Sequence, residues 1–491
     1  MADRNLEESN LDTLNRDLER MSGMESATAW VAQPLRGLGL SVGFILIACL
    51  IAGLFFGFSS SSLIIIIAAG VGAYMALNIG ANDVANNVGP AVGANALSMG
   101  AAIAIAAIFE SAGALLAGGD VVSTIAKGIV DPDAMRTPTI FVYAMLSALL
   151  AAAIWVNLAT WIGAPVSTTH SVVGGVMGAG IMAAGFAAVS WGTMSAIAAS
   201  WVISPVLGGM IAALFLWFIK ARIVYQEDKI AAARKWVPVL VGIMAAAFGA
   251  YLALKGLKKI IKLDLTTALS IGVAVGIMVW LVTIPVIKKQ AQGLENRNKS
   301  LKVLFGIPLV ISAALLSFAH GANDVANAVG PLAAIVQVTQ SGDFTSSFSI
   351  PLWVMVIGAL GISFGLFLFG PKLIRMVGSQ ITKLNPMRAY CVALSAAITV
   401  IIASWLGLPV SSTHIAVGGV FGVGFFREWD SQRRMKARRI AIPEVTPADQ
   451  KRRKLVRRSH VMTIVAAWVI TVPSAALLSA ALFFVINTVA G

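Results

Sequence analysis

The chain contains two motifs that each occur twice. The heptapeptide Gly-Ala-Asn-Asp-Val-Ala-Asn lies at residues 80–86 and again at 321–327, so its copies are 241 positions apart. The motif Pro-Val-Ser-Thr-Thr-His at 165–170 returns, with one serine in place of a threonine, at 409–414, an offset of 244. These nearly equal offsets indicate that a whole half of the chain is duplicated. Polar motifs at equivalent points of two apolar halves are typical of secondary transporters.

The composition predicts the environment of these motifs. Hydrophobic residues make up 58% of the chain and charged residues 12%, with a mean hydropathy of +0.86. Because a soluble domain carries about 25% charged residues, the chain is predicted to be an integral membrane protein surrounded by the lipid bilayer. The net charge of +14 does not indicate a nucleic-acid partner, since the basic residues lie in short loops between apolar stretches.

Thirteen apolar stretches can be marked along the chain, and most have the roughly 20 residues that a membrane-spanning helix needs. The prediction is therefore an all-α polytopic membrane protein with about 12 to 13 transmembrane segments. The stretches are 39–57, 62–79, 98–117, 139–162, 166–189, 193–219, 235–254, 266–287, 303–319, 350–370, 388–407, 409–426 and 461–488.

The duplication divides the chain into five parts. The first repeat contains stretches two to six and the second contains stretches nine to thirteen, so each half has five segments. The predicted parts are a cytoplasmic polar tail at 1–38, an additional N-terminal transmembrane helix at 39–61, a first transport repeat at 62–220, two linking helices with basic loops at 221–302, and a second transport repeat at 303–491 that includes a basic cytoplasmic loop at 427–460.

Loop charge predicts the orientation of the chain. Residues 427–458 contain twelve Lys or Arg, which places this loop in the cytoplasm. Alternate crossings then put the N-terminus in the cytoplasm, the C-terminus outside, and the loops 118–138 and 255–264 outside, although the last holds four lysines. The same count starts the two repeats from opposite faces, which is an inverted-topology repeat. It requires the fifth and twelfth stretches to cross, and their Pro and Gly content predicts irregular backbone there.

The first motif places a carboxylate in apolar surroundings in each half. An ionised Asp inside a bilayer is costly unless a cation, a hydrogen-bond donor or water relieves it. Two such groups beside Gly and Pro, which predict discontinuous helices, are better explained as cation or proton sites than as structural ion pairs. Asn86 and Asn327 lie one helical turn after Asn82 and Asn323, so the two amides of each heptapeptide share a helix face. The predicted coupling residues are Asp83, Asn86, Asp324 and Asn327, with Glu110 of the third stretch as a further buried acid.

The second motif predicts an anion site. Proline is favoured in the first turn of a helix, so Pro165 and Pro409 mark expected helix starts. Hydroxyls and free N–H groups in a first turn, with the positive end of the helix dipole, bind anions. The alternative interpretation is that these residues only cap buried helices. The predicted substrate ligands are Asn82, Ser167, Thr168, Thr169, Asn323, Ser411, Ser412 and Thr413, and His170 and His414 are expected to orient neighbouring groups.

The paired motifs resemble those of the inorganic phosphate transporter (PiT) family, over roughly residues 62–220 and 303–490. The resemblance implies cation-coupled uptake of inorganic phosphate by alternating access across a plasma or bacterial inner membrane. It also implies an inverted-repeat fold of about twelve helices that is often dimeric, so a homodimer is expected. By motif, Asp83 and Asp324 would serve cation coupling and the Ser and Thr groups would contact phosphate. Glu110 falls where family members also place an acidic residue. Neither a cofactor nor an enzymatic activity is expected.

The co-transported ion depends on a departure from the family pattern. Sodium-coupled animal members place a glutamate in the helix before each second motif, where this chain has Met145 and Ala393. Fewer hard oxygen ligands favour H⁺ over Na⁺. The alternatives are a sodium-coupled carrier with Na⁺ at Asp83 and Asp324, a sulfate carrier, transport of phosphate complexed with a divalent metal, and, from another class, a passive anion channel.

Overall fold

The computed structural model describes residues 36–59, 62–162, 166–256, 263–342, 349–376, 384–437 and 458–490. The predicted cytoplasmic tail therefore lies outside the described residues, apart from its last three positions. Pro165 and most of the predicted basic loop at 427–460 also lie outside them.

The described chain is helical almost throughout. Its α-helices are α1 Arg36–Phe56, α2 Leu63–Asn82, α3 Val84–Gly93, α4 Met99–Ala117, α5 Gly119–Ser123, α6 Pro138–Ile162, α7 Thr168–Ala184, α8 Trp191–Ile219, α9 Lys229–Tyr251, α10 Leu265–Gln290, α11 Asn298–Leu304, α12 Gly306–Ser341, α13 Leu352–Met376, α14 Pro386–Trp405, α15 Ser412–Ala437 and α16 Arg458–Ala490.

The all-α polytopic class is confirmed, because each of the thirteen predicted stretches is occupied by helix. Within the described ranges, 11 helical segments are long and apolar enough to cross a membrane. The two predicted stretches that do not meet these criteria form α7 and α15. α7 has only 17 residues, because residues 166 and 167 enter it as extended chain, and the second half of α15 is polar.

The two copies of the heptapeptide differ in backbone. The first is interrupted at Asp83, a turn between α2 and α3. The second lies inside α12, which runs for 36 residues through Asp324 and Pro331. The discontinuity predicted for both copies is therefore wrong for the second. The cause we assign is His320, which bridges to Asp324 one turn on, whereas Ile79 at the equivalent position cannot hold Asp83.

Contacts between loops define two ends of the helix bundle. Val130 forms an isolated antiparallel bridge with Val189, and Lys255 forms an ion pair with Asp120; we call this the Asp120 end. Lys220 pairs with Asp430 at 2.7 Å, at what we call the Asp430 end. α8 connects the two ends. Lys255, at the start of the loop 255–264, therefore has a carboxylate partner at the Asp120 end. The other three lysines of its loop lie outside the described residues.

The halves are interleaved rather than side by side. α2 packs on α13 and α12 packs on α4, so the first helix of each half lies against the second helix of the other. α7 packs on α16 and α15 packs on α8 in the same exchanged way. Gly80 and Gly321, which open the two heptapeptides, lie directly against the backbone carbonyls of Ile362 and Glu110, where a side chain would collide. This exchange brings all four motif copies to one centre.

Candidate substrate and coupling site

The Asp83 carboxylate lies where the two halves meet. It accepts a hydrogen bond from Thr168 Oγ1 at 2.8 Å and another from Thr413 Oγ1 at 3.1 Å. One hydroxyl therefore comes from each copy of the second motif. Asp83 is 3% exposed, and two hydroxyl donors relieve part of the cost of burying its charge.

The second asparagine of each heptapeptide bonds to the opposite half. Asn86 Nδ2 donates to Thr413 Oγ1 at 2.9 Å, and Asn327 Nδ2 donates to Thr169 Oγ1 at 3.1 Å. The two bonds are equivalent under exchange of the halves. They show that the first motif of one half and the second motif of the other form a unit, which the sequence order alone does not reveal.

The first asparagine of each heptapeptide holds the chain that enters the helix of its own half. Asn323 Oδ1 accepts from the Val410 amide at 3.1 Å, and its Nδ2 donates to Leu408 O at 3.1 Å and Ser404 Oγ at 2.9 Å. Asn82 Nδ2 donates to Val166 O at 3.5 Å, so it contacts the residue equivalent to Val410 through the carbonyl rather than the amide. Their contact with substrate stays a prediction; in the described structure their amides position the extended segments before α7 and α15.

The second motifs begin two helices that face each other. Ser167 Oγ accepts from the His170 amide and Ser411 Oγ from the His414 amide, so both serines are N-caps rather than first-turn residues. Pro409 lies in the extended chain three residues before α15, not in its first turn as expected, because the cap serine must take extended backbone before the helix can start.

The N-terminal turns of α7 and α15, which face each other, hold hydrogen-bond donors that are available to an anion. Thr169 Oγ1 donates to Val410 O at 3.1 Å, which joins the two starts directly. Ser412 Oγ is buried, and no partner reaches it among the described residues. The positive ends of α7 and α15 thus converge next to Asp83, an arrangement that favours negative charge.

His320 and Glu110 form a second polar cluster beside the first. His320 Nδ1 lies 2.7 Å from Glu110 Oε2, and its Nε2 lies 3.0 Å from Asp324 Oδ2. Asn87 Nδ2 donates to Glu110 Oε1 at 2.8 Å. All four side chains are buried. The structure thus gives partners to His320 and Asn87, for which the sequence predicted no role. The signal for His320 was present, since residues four apart share one helix face.

Three of these groups lie close enough to share a cation. One ligand atom each from Asp83, His320 and Asp324 falls within 4.8 Å of the others. Asp324 Oδ1 and Asn327 Oδ1 are buried, and no hydrogen-bond donor reaches them among the described residues. Buried acceptors normally have a partner, so this donor set fits a proton or a cation.

The two motif histidines lie at the contact between α7 and α15. The rings of His170 and His414 have centroids 5.0 Å apart, and His170 also packs on Trp201 at 3.8 Å. Trp201 Nε1 donates to Pro409 O at 3.0 Å, so this ring fixes the segment before α15. Trp201 was not predicted as a site residue. The orienting role expected for the histidines stays a prediction.

Comparison with known proteins assigns the family. A family model described as the phosphate transporter family matches residues 79–479. A Helicobacter pylori protein whose name assigns it to the phosphate permeases is 46% identical over 95% of this chain and 98% of its own length. The chloroplastic inorganic phosphate transporter 2-1 of Arabidopsis thaliana is 38% identical over 83% of this chain and 70% of its own. A solved structure, described as "The sodium-dependent phosphate transporter", is 36% identical, with a TM-score of 0.78, and covers 87% of this chain and 100% of that one.

Proposed function

The chain belongs to the phosphate transporter family, and from that premise we propose that it imports inorganic phosphate by cation-coupled alternating access. The observation that carries the proposal is the Asp83 carboxylate, held by Thr168 of one half and Thr413 of the other. The bond to Thr168 stays within the first half and the bond to Thr413 joins the two halves, so rocking of one half against the other would lengthen the Thr413 bond. Substrate binding and the movement of the two halves then involve the same contact, as expected for a transport site at the interface of two repeats.

The charge of the site supports coupling to a cation. Asp83, Glu110 and Asp324 are three buried carboxylates, and His320 is the one basic side chain in contact with them among the described residues. A phosphate anion brought to this site adds further negative charge in a region of low dielectric. Binding therefore needs compensating positive charge, which a co-transported ion supplies. An anion channel would not need this set of acids.

We favour H⁺ as the coupled ion. His320 can accept or release a proton and connects two carboxylates, whereas Na⁺ prefers oxygen ligands over an imidazole nitrogen. Met145 and Ala393, which stand where the sodium-coupled animal members have glutamates, are both buried apolar side chains here. Glu110, His320 and Asp324 would then form a row along which a proton moves.

A sodium-coupled carrier is the second candidate, favoured because the structural relative is described as sodium-dependent. In this version the carboxylate oxygens of Asp83 and Asp324 and the amide oxygen of Asn327 would bind Na⁺, and His320 would only position Asp324. Phosphate carried as a complex with a divalent metal would use the same oxygens. The histidine makes the two versions distinguishable, because only proton coupling needs it to titrate.

Orientation and assembly complete the proposal. We place the Asp430 end in the cytoplasm, because the basic loop leaves from it, and the Asp120 end outside. The bond from Tyr143 Oη to Ala490 O ties the C-terminal helix to the start of α6, on the Asp120 side. The N-terminus would be cytoplasmic and the two halves inverted. The expected membrane is the plasma or bacterial inner membrane, with a homodimer as the expected assembly.

The test is uptake of radiolabelled phosphate into proteoliposomes with pH and Na⁺ gradients imposed separately. We expect uptake that follows an inward H⁺ gradient with Na⁺ replaced by choline, and that a large phosphate excess suppresses any sulfate uptake. Uptake that stops only when Na⁺ is removed would select the second candidate. Absence of phosphate counterflow, with gradient-independent flux, would indicate a channel and overturn the carrier.

A further inference from the structure

Basic and aromatic side chains meet where α8 turns into α9, at the Asp430 end. The guanidinium carbon of Arg222 lies 5.7 Å from the centre of the Trp236 ring, and Lys235 Nζ lies 5.7 Å from the same ring centre. Phe218 packs edge-on against this ring, with centroids 5.1 Å apart. Two cations therefore share one indole, whose π system attracts both of them. We call Arg222, Lys235 and Trp236 the indole cluster.

The cations of the indole cluster are not neutralised by carboxylates. Among the described residues, no Asp or Glu oxygen lies within ion-pair distance of Arg222 or Lys235, and both side chains are exposed. Lys220, two residues before Arg222, differs because it pairs with Asp430 at 2.7 Å. Two like charges at one ring repel each other, and an anion bound between them would relieve this repulsion. The cluster therefore has the charge of an anion site.

Exposed apolar side chains lead away from Arg222 along α8. Met210, Leu214, Phe218 and Arg222 follow one another at intervals of four residues, the spacing that stacks side chains on one helix face. Met210 is 65% exposed and Leu214 is 60% exposed. We call Met210, Leu214 and Phe218 the apolar stripe. The surface of α8 is thus apolar along this stripe and cationic where the stripe reaches the Asp430 end.

α8 and α9 separate from each other beyond the indole cluster. α8 packs on α15 and α14, whereas α9 packs on α10, and residues 220–224 contact both α8 and α9. Ile243 of α9 shares a helix face with Trp236 two turns before it and is 52% exposed. The space between the two helices is therefore bordered by exposed apolar side chains and ends at the indole cluster.

The indole cluster lies at the depth of lipid headgroups. The helical segments Trp191–Val224 and Lys229–Gly256 are long and apolar enough to cross a membrane, and the cluster occupies the ends of both. Tryptophan is enriched at the membrane–water interface, and Lys and Arg near helix ends hold their charges there. An anionic phospholipid presents a phosphate at this level and acyl chains below it. It therefore complements the cations and the apolar stripe together, whereas a free anion would match only the cations.

We propose that the indole cluster and the apolar stripe together bind an anionic phospholipid. Its headgroup phosphate lies between Arg222 and Lys235, and its acyl chains lie along Met210 and Leu214. The planar guanidinium can donate two parallel hydrogen bonds to phosphate oxygens, and the lysine adds a point charge. The lipid site does not depend on the proposed transport function.

A lipid held at this surface contacts a helix that supports the candidate site. Trp201 of α8 donates to Pro409 O at 3.0 Å, which fixes the segment before α15. α15 also packs on α8 through Gly418 and Gly422, which lie directly against backbone carbonyls of α8. Because a ligand that binds only the folded state stabilises it, the bound lipid should raise the thermal stability of the protein.

The first experiment compares an anionic with a zwitterionic lipid on the purified full-length chain in a neutral detergent. Dioleoylphosphatidylglycerol and dioleoylphosphatidylcholine are titrated while thermal unfolding and, by native mass spectrometry, retained lipid are measured. We expect phosphatidylglycerol to raise the unfolding temperature by several degrees and to be retained several-fold more than phosphatidylcholine. The difference should shrink in high salt, which screens exposed charges. Equal effects of the two lipids would overturn the proposal.

Matched variants locate the binding. Arg222→Gln with Lys235→Gln removes both cations of the indole cluster and should abolish most of the difference between the two lipids. Lys288→Gln with Lys289→Gln removes two exposed cations from the end of α10, at the same end of the bundle, and should leave the difference unchanged. Arg222→Lys with Lys235→Arg keeps both charges and should retain most of the difference, which controls for folding.

Other occupants of this surface would give different results. If inorganic phosphate reproduces the shift produced by phosphatidylglycerol, the cations bind a free anion. If the Arg222 and Lys235 glutamine pair disrupts a dimer in light scattering but leaves lipid retention unchanged, the surface contacts a second copy of the chain. If the α10 pair loses as much as the cluster pair, only the general charge of this end matters. Each of these results would overturn the proposal, whereas a wild type without phosphate uptake would contradict only the proposed function.

Discussion

The two heptapeptide carboxylates occupy equivalent positions in the sequence but different environments in the structure. Asp83 ends α2 at a turn and bonds to threonine hydroxyls from both halves. Asp324 lies inside the unbroken α12 and contacts His320 on its own helix. The two copies differ in their neighbours, since His320 stands where the first half has Ile79 and Ser412 stands where it has Thr168.

This difference teaches that a duplicated motif need not have a duplicated role. Asp83 contacts a hydroxyl at each of the two helix starts where an anion is expected, and its bond to Thr413 crosses between the halves. Asp324 contacts His320, whose contact with Glu110 also crosses between the halves but joins only ionisable groups. We therefore expect Asp83 to serve substrate binding and the conformational change, and Asp324 to serve the coupled ion.

The largest effect is expected from removing each carboxylate in turn. Asp83→Asn and Asp324→Asn should both reduce gradient-driven phosphate uptake to the level of empty vesicles, because each removes a charge that the coupled cycle needs. Phosphate counterflow, which needs no gradient, should survive only in Asp324→Asn. Membrane abundance of both variants is the control. Wild-type uptake in either variant would show that its aspartate has only a structural role. Equal counterflow in both variants would contradict the assignment of substrate binding to Asp83 and of ion coupling to Asp324.

The second-largest effect is expected from replacing His320 by isoleucine, the residue at the equivalent position of the first half. His320→Ile leaves Glu110 and Asp324 without their shared basic partner, and breaking a buried charged pair costs about 3–5 kcal/mol. We expect severely reduced uptake whose dependence on pH no longer follows the wild-type profile, because the group that would exchange the proton is gone. The reverse change, Ile79→His, is the matched control and should not produce the same change in profile. An unchanged profile in His320→Ile would favour sodium coupling.

A smaller effect tests whether the two halves contribute equally to the Asp83 site. Thr168→Val and Thr413→Val each remove one hydroxyl from the carboxylate, and a hydrogen bond to a charged group contributes about 1.5–3 kcal/mol. Apparent phosphate affinity should weaken by roughly tenfold or more in both. Thr168→Ser and Thr413→Ser keep the hydroxyl and should retain most of the wild-type affinity for phosphate. Loss in only one of the valine variants would show that one half dominates binding.

The smallest effect is expected at the Asp430 end, where the halves meet away from the site. Burial acts to raise the pKa of Asp430, but hydrogen bonds from Lys220 and Tyr225 outweigh it and hold the pKa below its ordinary value. The stabilisation is then complete above the ordinary carboxyl pKa and is lost as pH falls through the lowered one. Asp430→Asn should lower thermal stability at pH 7 by about 1 kcal/mol or less, as partly exposed ion pairs do, and the difference from wild type should shrink in acid. A loss of uptake as large as that of Asp83→Asn would contradict a purely structural contact.

Much of the candidate site could be predicted because the motifs are local. Thr168 and Thr413 were predicted from helix-start chemistry, and the structure brings both hydroxyls to Asp83. The partnership of Asn86 with Thr413 could not be predicted, since it joins residues 327 positions apart. Trp201 and Asn87 were missed for the same reason: a single polar or aromatic residue in an apolar helix has no local pattern that names its partner.

The sequence by itself determined the class, the thirteen helical segments, the duplication and the residue types available for binding, because these depend on hydropathy, periodicity and motif identity along the chain. Only the tertiary structure decided that the halves interleave, that Asp83 breaks its helix while Asp324 does not, and that His320 joins Glu110 to Asp324. The physical reason is that short-range chemistry specifies helices and caps. Which buried polar groups satisfy one another depends on the close packing of segments hundreds of residues apart.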